Sequence, residues 1–267
     1  MFDLTTLADD AGRLIAQFRR ENVPIHCIAN SADEGFTTRV LDAVGSIVTT
    51  THDPRELATM IDDCSALMIQ MGPTNDMREG GIASAVEHAQ KSRKPWVLDT
   101  LLAHRSPFRT EFLRNQLAHR PTIVRAAPED ITATLIKRHA SPVDFAKRFN
   151  TVAICCRADI GIHDGLRSLV LPYGASGFQN IRMLGSARSA ICAAMSVLEP
   201  DAFKAAAAAL AITETASSVA AKAAGGPGSF SIFFLDALSF IDAQAISTYL
   251  SACSAESETP AHVAETN

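Results

Sequence analysis

Four short apolar runs in this chain each lead into polar or charged residues: His26 with Asn30, Gln70 with Gly72, Asp99, and Arg125 with Glu129 and Asp130. A fifth group, Gly185-Ser186-Ala187-Arg188, opens a helical segment. In an open parallel sheet, ligands bind beyond the carboxyl ends of the strands, so these residues are the ones placed for chemistry. A helix start made of small residues is a ready anion seat, because free backbone N–H groups and the helix dipole converge there. Gly185 and Ser186 therefore mark a phosphate candidate. Arg188 is a bidentate phosphate clamp, a surface helix charge or an interface ion-pair partner, and a cation so near a helix start opposes the dipole. Asp99 either caps the next helix or holds the water shell of a bound cation. Glu129 and Asp130 suit the first turn of a helix, with cation binding as the other role. Arg125 is a strand-end charge or a phosphate contact. His26 is a satisfied core histidine or, with Asn30, the border of a small-molecule pocket.

These residues need a sheet to hold them. Short apolar runs alternate with helix-period segments, the pattern of an α/β fold with a largely parallel sheet. Strands are expected at 23–29, 46–49, 66–71, 95–99, 122–125 and 151–156, with helices at 33–44, 54–64, 75–92, 108–119 and 128–139. Asp164-Gly165 between two apolar stretches signals a two-residue hairpin and an antiparallel edge. The last third reads as helices from about Ser186, Asp201 and Ser229, with Ala205 to Ala209 inside an amphipathic one. Between the last two, Gly225-Gly226-Pro227-Gly228-Ser229-Phe230 forms a break. There Gly225 and Gly226 are expected in left-handed C-cap conformations and Ser229 as the next N-cap. A single domain over 1–254 is expected, followed by a polar tail over 255–267 that frays.

With 267 residues, 47% of them hydrophobic, the chain buries a large core. A net charge of −5, scattered basic residues, one Trp and two Tyr leave no nucleic-acid surface. No signal segment or membrane-spanning run is legible, so a cytoplasmic protein is expected. Six cysteines without paired ligand spacing read as reduced thiols, with Cys155-Cys156 in a buried strand. No Gly-x-Gly-x-x-Gly follows the first strand, which argues against a dinucleotide-binding oxidoreductase.

The order of these motifs resembles the hydroxyethylthiazole kinase family. His26-Cys27-Ile28-Ala29-Asn30 is similar to the family's His-x-Ile-Thr-Asn, and Phe36-Thr37 with Leu41 and Gly45 to the segment after it. Ala66 to Gly72 is similar to its strand ending Asn-Ile-Gly-Thr, Val97-Leu98-Asp99 to its Val-Leu-Asp, and Ile123-Val124-Arg125 to its Ile-Arg. Gly226-Pro227-Gly228-Ser229-Phe230 and Leu235-Asp236-Ala237-Leu238 match its C-terminal motif almost letter for letter.

The resemblance implies a ribokinase-like three-layer α/β sandwich, a homotrimer with the small-molecule pocket between subunits, and phosphorylation of a small heterocyclic alcohol by Mg2+ and ATP. It implies Gly185, Ser186, Arg188 and Asp99 at the phosphoryl end, and Arg125, Cys156 and Gly185 beside the nucleotide. Asp99 and Asp130 then sit near the metal, and His26, Asn30, Glu34 and Gly72 border the alcohol. The departures fall on the same loops. The family's Thr-Gly-Thr-Gly-Cys is here Leu184-Gly185-Ser186-Ala187-Arg188, so Arg188 stands at the cysteine position and Cys192 lies one helical turn further in. Asp-Pro-Val-Gly-Ala-Gly has become Asp99-Thr100-Leu101-Leu102-Ala103-His104, Arg-Gly-Asn has become Arg125-Ala126-Ala127, and a strand-ending Thr-Gly has become Cys156-Arg157. Two readings follow: a kinase of that family, or a paralogue that keeps fold and oligomer as a small-ligand-binding or regulatory protein.

Overall fold

The computed structural model describes residues 3–137, 140–175, 177–178, 181 and 183–258. In chain order they form α1 (Leu4–Glu21), β1 (Pro24–Ile28), α2 (Glu34–Ala43), β2 (Ile47–Thr50), α3 (Pro54–Asp63), β3 (Ala66–Gln70) and α4 (Asp76–Lys91). Then follow β4 (Trp96–Asp99), α5 (Pro107–Leu117), β5 (Ile123–Ala126), α6 (Pro128–Leu135), α7 (Pro142–Phe149), β6 (Val152–Cys156), β7 (Ile160–His163) and β8 (Ser168–Leu171). Four helices complete the described chain: α8 (Met183–Leu198), α9 (Ala202–Ala223), α10 (Pro227–Phe240) and α11 (Ala243–Glu258).

One sheet runs in the order β2-β1-β3-β4-β5-β6-β7-β8. Its first six strands are parallel, and β7 and β8 add an antiparallel edge. Every residue of β3 and β4 is buried, which is why these strands read as apolar runs up to Gln70 and Asp99 at their ends rather than as alternating ones. Helices α3 to α7 pack a core on one face, around Leu57, Ile82, Leu113 and Phe145. The remaining helices pack the other face, around Phe18, Leu41, Ile191 and Phe203. The chain order reverses between β1 and β3, so a crevice opens beyond their carboxyl ends and those of β4 to β6.

Several local expectations change in the fold. Residues 4–21, which the sequence reading left unassigned, form α1, buried along Leu7, Ala11, Leu14, Ile15 and Phe18. The helix expected over 128–139 ends at Leu135, where Ile136 turns left-handed, and α7 follows. Residues 138 and 139 lie outside those described. The hairpin closes with His163 opposite Ser168, so its loop is the four residues Asp164 to Arg167. Asp164 Oδ1 accepts the N–H groups of Leu166 and Arg167 at 2.8 and 2.6 Å, which widens the turn.

Helix α9 is not amphipathic where it was expected to be. Ala205 to Thr215 are all buried, because α9 is wrapped by the sheet, α1, α8 and α10. The glycine break also differs. Gly226 is extended (φ 170°) and caps α10, which begins at Pro227, so neither a left-handed Gly226 nor an N-cap at Ser229 is found. Ser229 instead reaches back: its Oγ accepts the Gly225 N–H at 3.1 Å and donates to the Gly226 carbonyl at 3.1 Å. Helix α11 runs to Glu258, into the expected tail, and residues 259–267 lie outside those described.

Candidate active site

The carboxyl ends of β4, β5 and β6 and the first turns of α8 enclose a cleft of about 210 Å3, with Thr100, Leu101, Arg125, Cys156, Gly185 and Arg188 in its walls. A larger hollow of about 570 Å3, walled by Arg114, Arg120 and Arg148, contains none of the strand-end groups.

Arg125 and Asp99 stand opposite each other on neighbouring strands. Arg125 donates from Nη2 to Asp99 Oδ1 at 2.6 Å and from Nε to Oδ2 at 3.1 Å. Asp99 is fully buried, and its oxygens also accept the Leu101 N–H at 3.2 Å and the Ser189 hydroxyl at 3.2 Å. A fork of this kind satisfies a buried carboxylate and fixes the plane of the guanidinium. Burial works against the charge on Arg125, yet Asp99 together with Cys156 holds the guanidinium above its ordinary value.

Arg188 is held in the same manner from the other side. Its Nε donates to Glu214 Oε1 at 2.7 Å and its Nη2 to Oε2 at 3.2 Å, with the Tyr173 ring 5.2 Å from the guanidinium carbon. Burial again opposes the charge, and Glu214 together with Cys156 and Tyr173 holds the guanidinium above its ordinary value. Glu214 comes from the middle of α9 and is 1% exposed. The sequence held a hint of it, since a carboxylate inside an alanine-rich buried helix needs a partner.

Asp130, in the cleft wall, secures the loop after β4. Its Oδ2 accepts the Thr100 hydroxyl, and its Oδ1 accepts the His104 N–H at 2.8 Å and meets His104 Nδ1 at 2.7 Å. Within that loop Leu101 (φ 35°) and Leu102 (φ 59°) both lie in the left-handed region, where side-chain-bearing residues are strained. Both oxygens of Asp99 and of Asp130 are thus engaged by the protein. Asp99 accepts four hydrogen bonds from the protein and Asp130 is held by Thr100 and His104, and no cluster of three or more His, Cys, Asp or Glu suited to a metal occurs among the described residues.

A second, buried network lies beyond β1 and β3. Asn30 Nδ2 donates to Asp33 Oδ2 at 2.7 Å and to Gln70 Oε1 at 2.6 Å, and Gln70 Nε2 donates to Asp33 Oδ2 at 3.0 Å. Arg78 ties the strand ends together, donating to the carbonyls of Ala29 at 2.9 Å and Gln70 at 2.7 Å. Burial pulls the Arg78 guanidinium below its ordinary value, and the charge of half-buried Glu34 opposes that. Gly72 joins the two networks: a Cβ there would lie 3.0 Å from Asn30 Cβ and 3.6 Å from Leu101 Cδ2.

A family model described as the hydroxyethylthiazole kinase family matches residues 15–244. This chain belongs to the hydroxyethylthiazole kinase family. It is similar to the hydroxyethylthiazole kinase of Roseobacter denitrificans, at 32% identity over 84% of this chain and 93% of that one. With that of Klebsiella pneumoniae subsp. pneumoniae it shares 32% identity over 80% and 89%. Its fold superposes on a hydroxyethylthiazole kinase structure from Pyrococcus horikoshii with a TM-score of 0.84 and 24% identity, over 90% of this chain and 96% of that one. More distantly it shares the fold of a putative ribokinase II from E. coli solved with ATP and Mg2+, at a TM-score of 0.56 and 13% identity over 92% and 88%. The protein is therefore a small-molecule kinase with a ribokinase-like α/β fold, and membership implies use of ATP.

Of the residues singled out from the sequence, the cleft gathers Arg125, Asp130, Cys156, Gly185 and Arg188 in its walls, with Asp99 buried behind Arg125. Ser186 is close in sequence but turned inward: it is fully buried and donates to the Met183 carbonyl at 2.9 Å. Helix α8 starts at Met183, so Gly185 and Ser186 lie within its first turn rather than ahead of it. Cys192, the cysteine nearest the family's position, is buried deeper on α8, and burial pushes its thiol up. His26 stands apart from the cleft. It is fully buried on β1, with Nδ1 at 2.8 Å from Thr49 Oγ1 and Nε2 at 3.1 Å from the Thr51 carbonyl. Both ring nitrogens are engaged, so His26 fixes β1 to β2 and to the residue just after it rather than bordering a pocket. Sequence reasoning missed Glu214, Tyr173, Asp33 and Arg78, whose partners lie 26 or more residues away or on other elements.

Proposed function

We propose that this protein transfers the γ-phosphoryl group of ATP to the hydroxyl of a small heterocyclic alcohol, with 4-methyl-5-(2-hydroxyethyl)thiazole as the substrate its relatives' name indicates. The convergence of Arg125 and Arg188 on one cleft beside the first turn of α8 carries this reading. Phosphoryl transfer consists largely of positioning and of stabilising charge on the equatorial oxygens. Loss of one such donor costs about 10²- to 10³-fold in rate. Two guanidiniums with fixed planes offset the loss of the family's glycine donors and its cysteine. In this reading Arg125, Cys156 and Gly185 border the nucleotide phosphates, and Arg188 faces the transferred group.

Mg2+ supplies charge neutralisation of the β- and γ-oxygens when it arrives with the nucleotide. Asp99 and Asp130 do not fit as its ligands, and no step is assigned to them through it. The alcohol is assigned to the crevice beyond β1 and β3, near Asn30, Glu34 and Gly72, completed by a neighbouring subunit of a homotrimer. Ile232 and Phe240 on α10, 62% and 64% exposed, and Ile47 on the edge strand β2, 57% exposed, support such a partner surface. Among the described residues no single helix is long and apolar enough to cross a membrane. The reaction is placed in the cytoplasm, where ATP is available.

A coupled assay of ATP consumption with hydroxyethylthiazole and Mg2+ tests the reading. Alcohol-dependent turnover that falls when Arg125 or Arg188 is replaced is the expected result. Absence of both ATP binding and turnover in the folded protein overturns it.

A further inference from the structure

We propose that Glu214 is a positioning residue of the phosphate seat, acting through Arg188; this rests on the reading of the cleft given above. A carboxylate in the middle of a buried helix is expensive unless fully paired. Glu214 lies in an alanine-rich stretch whose other neighbours on α9 ask for no charge: Ala211, Ile212, Thr213 and Thr215 are all buried beside it. The fold alone gives no reason for an ion there.

The surrounding chain is shaped to Glu214. Its Oε2 also accepts the Gly174 N–H at 3.1 Å. A Cβ on Gly174 would lie only 1.8 Å from the Glu214 carbonyl oxygen, so only glycine permits that approach. The same few residues carry Tyr173, whose ring flanks the Arg188 guanidinium. Carboxylate and ring thus hold Arg188, and the Gly174 N–H holds the carboxylate.

The fork uses Nε and Nη2 of Arg188. Arg188 lines the cleft and Glu214 does not, so the edge of the guanidinium left over by Glu214 is the one the cleft meets. Arg125 repeats the arrangement, with Nε and Nη2 spent on Asp99. Each arginine has one edge clamped by a buried carboxylate and the other available to an anion. A planar guanidinium clamped in this way recognises phosphate at little further cost in side-chain entropy. Where the family places a cysteine at a glycine-rich helix start, this chain has an arginine, and the arginine has brought its own orienting acid.

Three proteins decide between this role and a purely structural ion pair: wild type, Glu214→Gln, and Arg188→Met combined with Glu214→Leu. Replacing both members of a buried pair with apolar residues of similar size is often neutral for stability, so the double variant is expected to fold. Binding of inorganic pyrophosphate and of ADP is measured by calorimetry, ATP kinetics by the coupled assay, and folding by thermal denaturation. Glu214→Gln is expected to weaken pyrophosphate binding and raise the KM for ATP by about ten- to a hundredfold, the usual effect of removing an orienting partner. The KM for the alcohol stays near that of wild type. The double variant is expected to melt near wild type and bind pyrophosphate as weakly or more so. Wild-type affinity and wild-type KM for ATP in both folded variants overturn the proposal. A wild-type protein that binds pyrophosphate in a Glu214-dependent manner but phosphorylates no alcohol upholds it while removing the kinase reading.

Discussion

The guanidinium of Arg125 lies across the Cα of Gly185. A methyl group there would stand 2.7 Å from Arg125 Nη2 and 2.8 Å from its Cζ. The one glycine of the family's phosphate loop that survives in this chain therefore makes room for an arginine, and that arginine is the one forked onto Asp99.

Gly185→Ala tests that contact. In a helix the change should add about 1 kcal/mol from propensity alone, whereas here it presses a methyl into a clamped guanidinium. Thermal stability is expected to stay flat or fall slightly, while kcat/KM for ATP falls about a hundredfold as Arg125 leaves the Asp99 plane. Steady-state kinetics beside a melting curve check both. Unchanged kinetics would mean that Arg125 does not contact the nucleotide.

Asp99→Asn removes the charge that holds Arg125. Breaking one side of a buried pair costs about 3–5 kcal/mol, and Asp99 is fully buried. Denaturant unfolding is expected to show a loss at the lower end of that range, because Arg125 keeps some contact with solvent in the cleft. A variant as stable as wild type would show that the fork contributes nothing net.

Asp130→Asn should loosen the loop from Thr100 to His104 rather than alter metal use. The expected outcome is a lower kcat with an unchanged Mg2+ concentration for half-maximal rate. A marked rise in that concentration would make Asp130 a metal ligand after all.

His26 gives the stability curve a definite slope. Burial lowers its pKa below the usual value, only partly opposed by the Thr51 carbonyl. The unfolded chain, with an ordinary pKa of about 6.5, binds the proton more readily than the native one. This residue's contribution is therefore fully present above about pH 6.5 and is lost as the pH falls toward its depressed native value. Unfolding free energies at several pH values between 5 and 8, as set by about that pKa, are expected to decline toward acid in wild type and less steeply in His26→Gln. Parallel curves would refute the assignment.

Leu102 is left-handed (φ 59°, ψ 38°) and 45% exposed. A left-handed residue bearing a side chain costs about 1–2 kcal/mol, against about 0.5–1 for the extra freedom of glycine in the unfolded chain. Leu102→Gly is expected to hold or raise the melting temperature. A clear fall would show that the leucine packs more than its exposure implies.

The sheet was legible because parallel strands buried on both faces must be apolar along their length, and Ala66 to Ile69 and Trp96 to Leu98 are. The strand ends at Asp99 and Arg125 were legible for the same reason: charge immediately after such a run has nowhere else to go. Helix α1 was passed over because Asp3, Asp9 and Asp10 masked the spacing of Leu7, Ala11, Leu14 and Phe18. The left-handed conformations expected at Gly225 and Gly226 went to side-chain-bearing residues such as Leu101, Leu102 and Ile136 instead, a choice made by the packing of the loops and invisible to propensity.

By itself the sequence determined the family, the strand order's raw material and the cluster of Asp99, Arg125, Gly185 and Arg188, because strand periodicity and motif order are local properties. Which way each charge faces was decided only by tertiary structure. Arg188 alone read as clamp, surface charge or interface partner, and the choice rests on Glu214, twenty-six residues away on another helix. Asp130 read as a first-turn acid or a metal neighbour, and only the fold brings Thr100 and His104 to its oxygens. Ion pairs and hydrogen bonds depend on ångström-scale separations between elements, and no spacing along a chain encodes them.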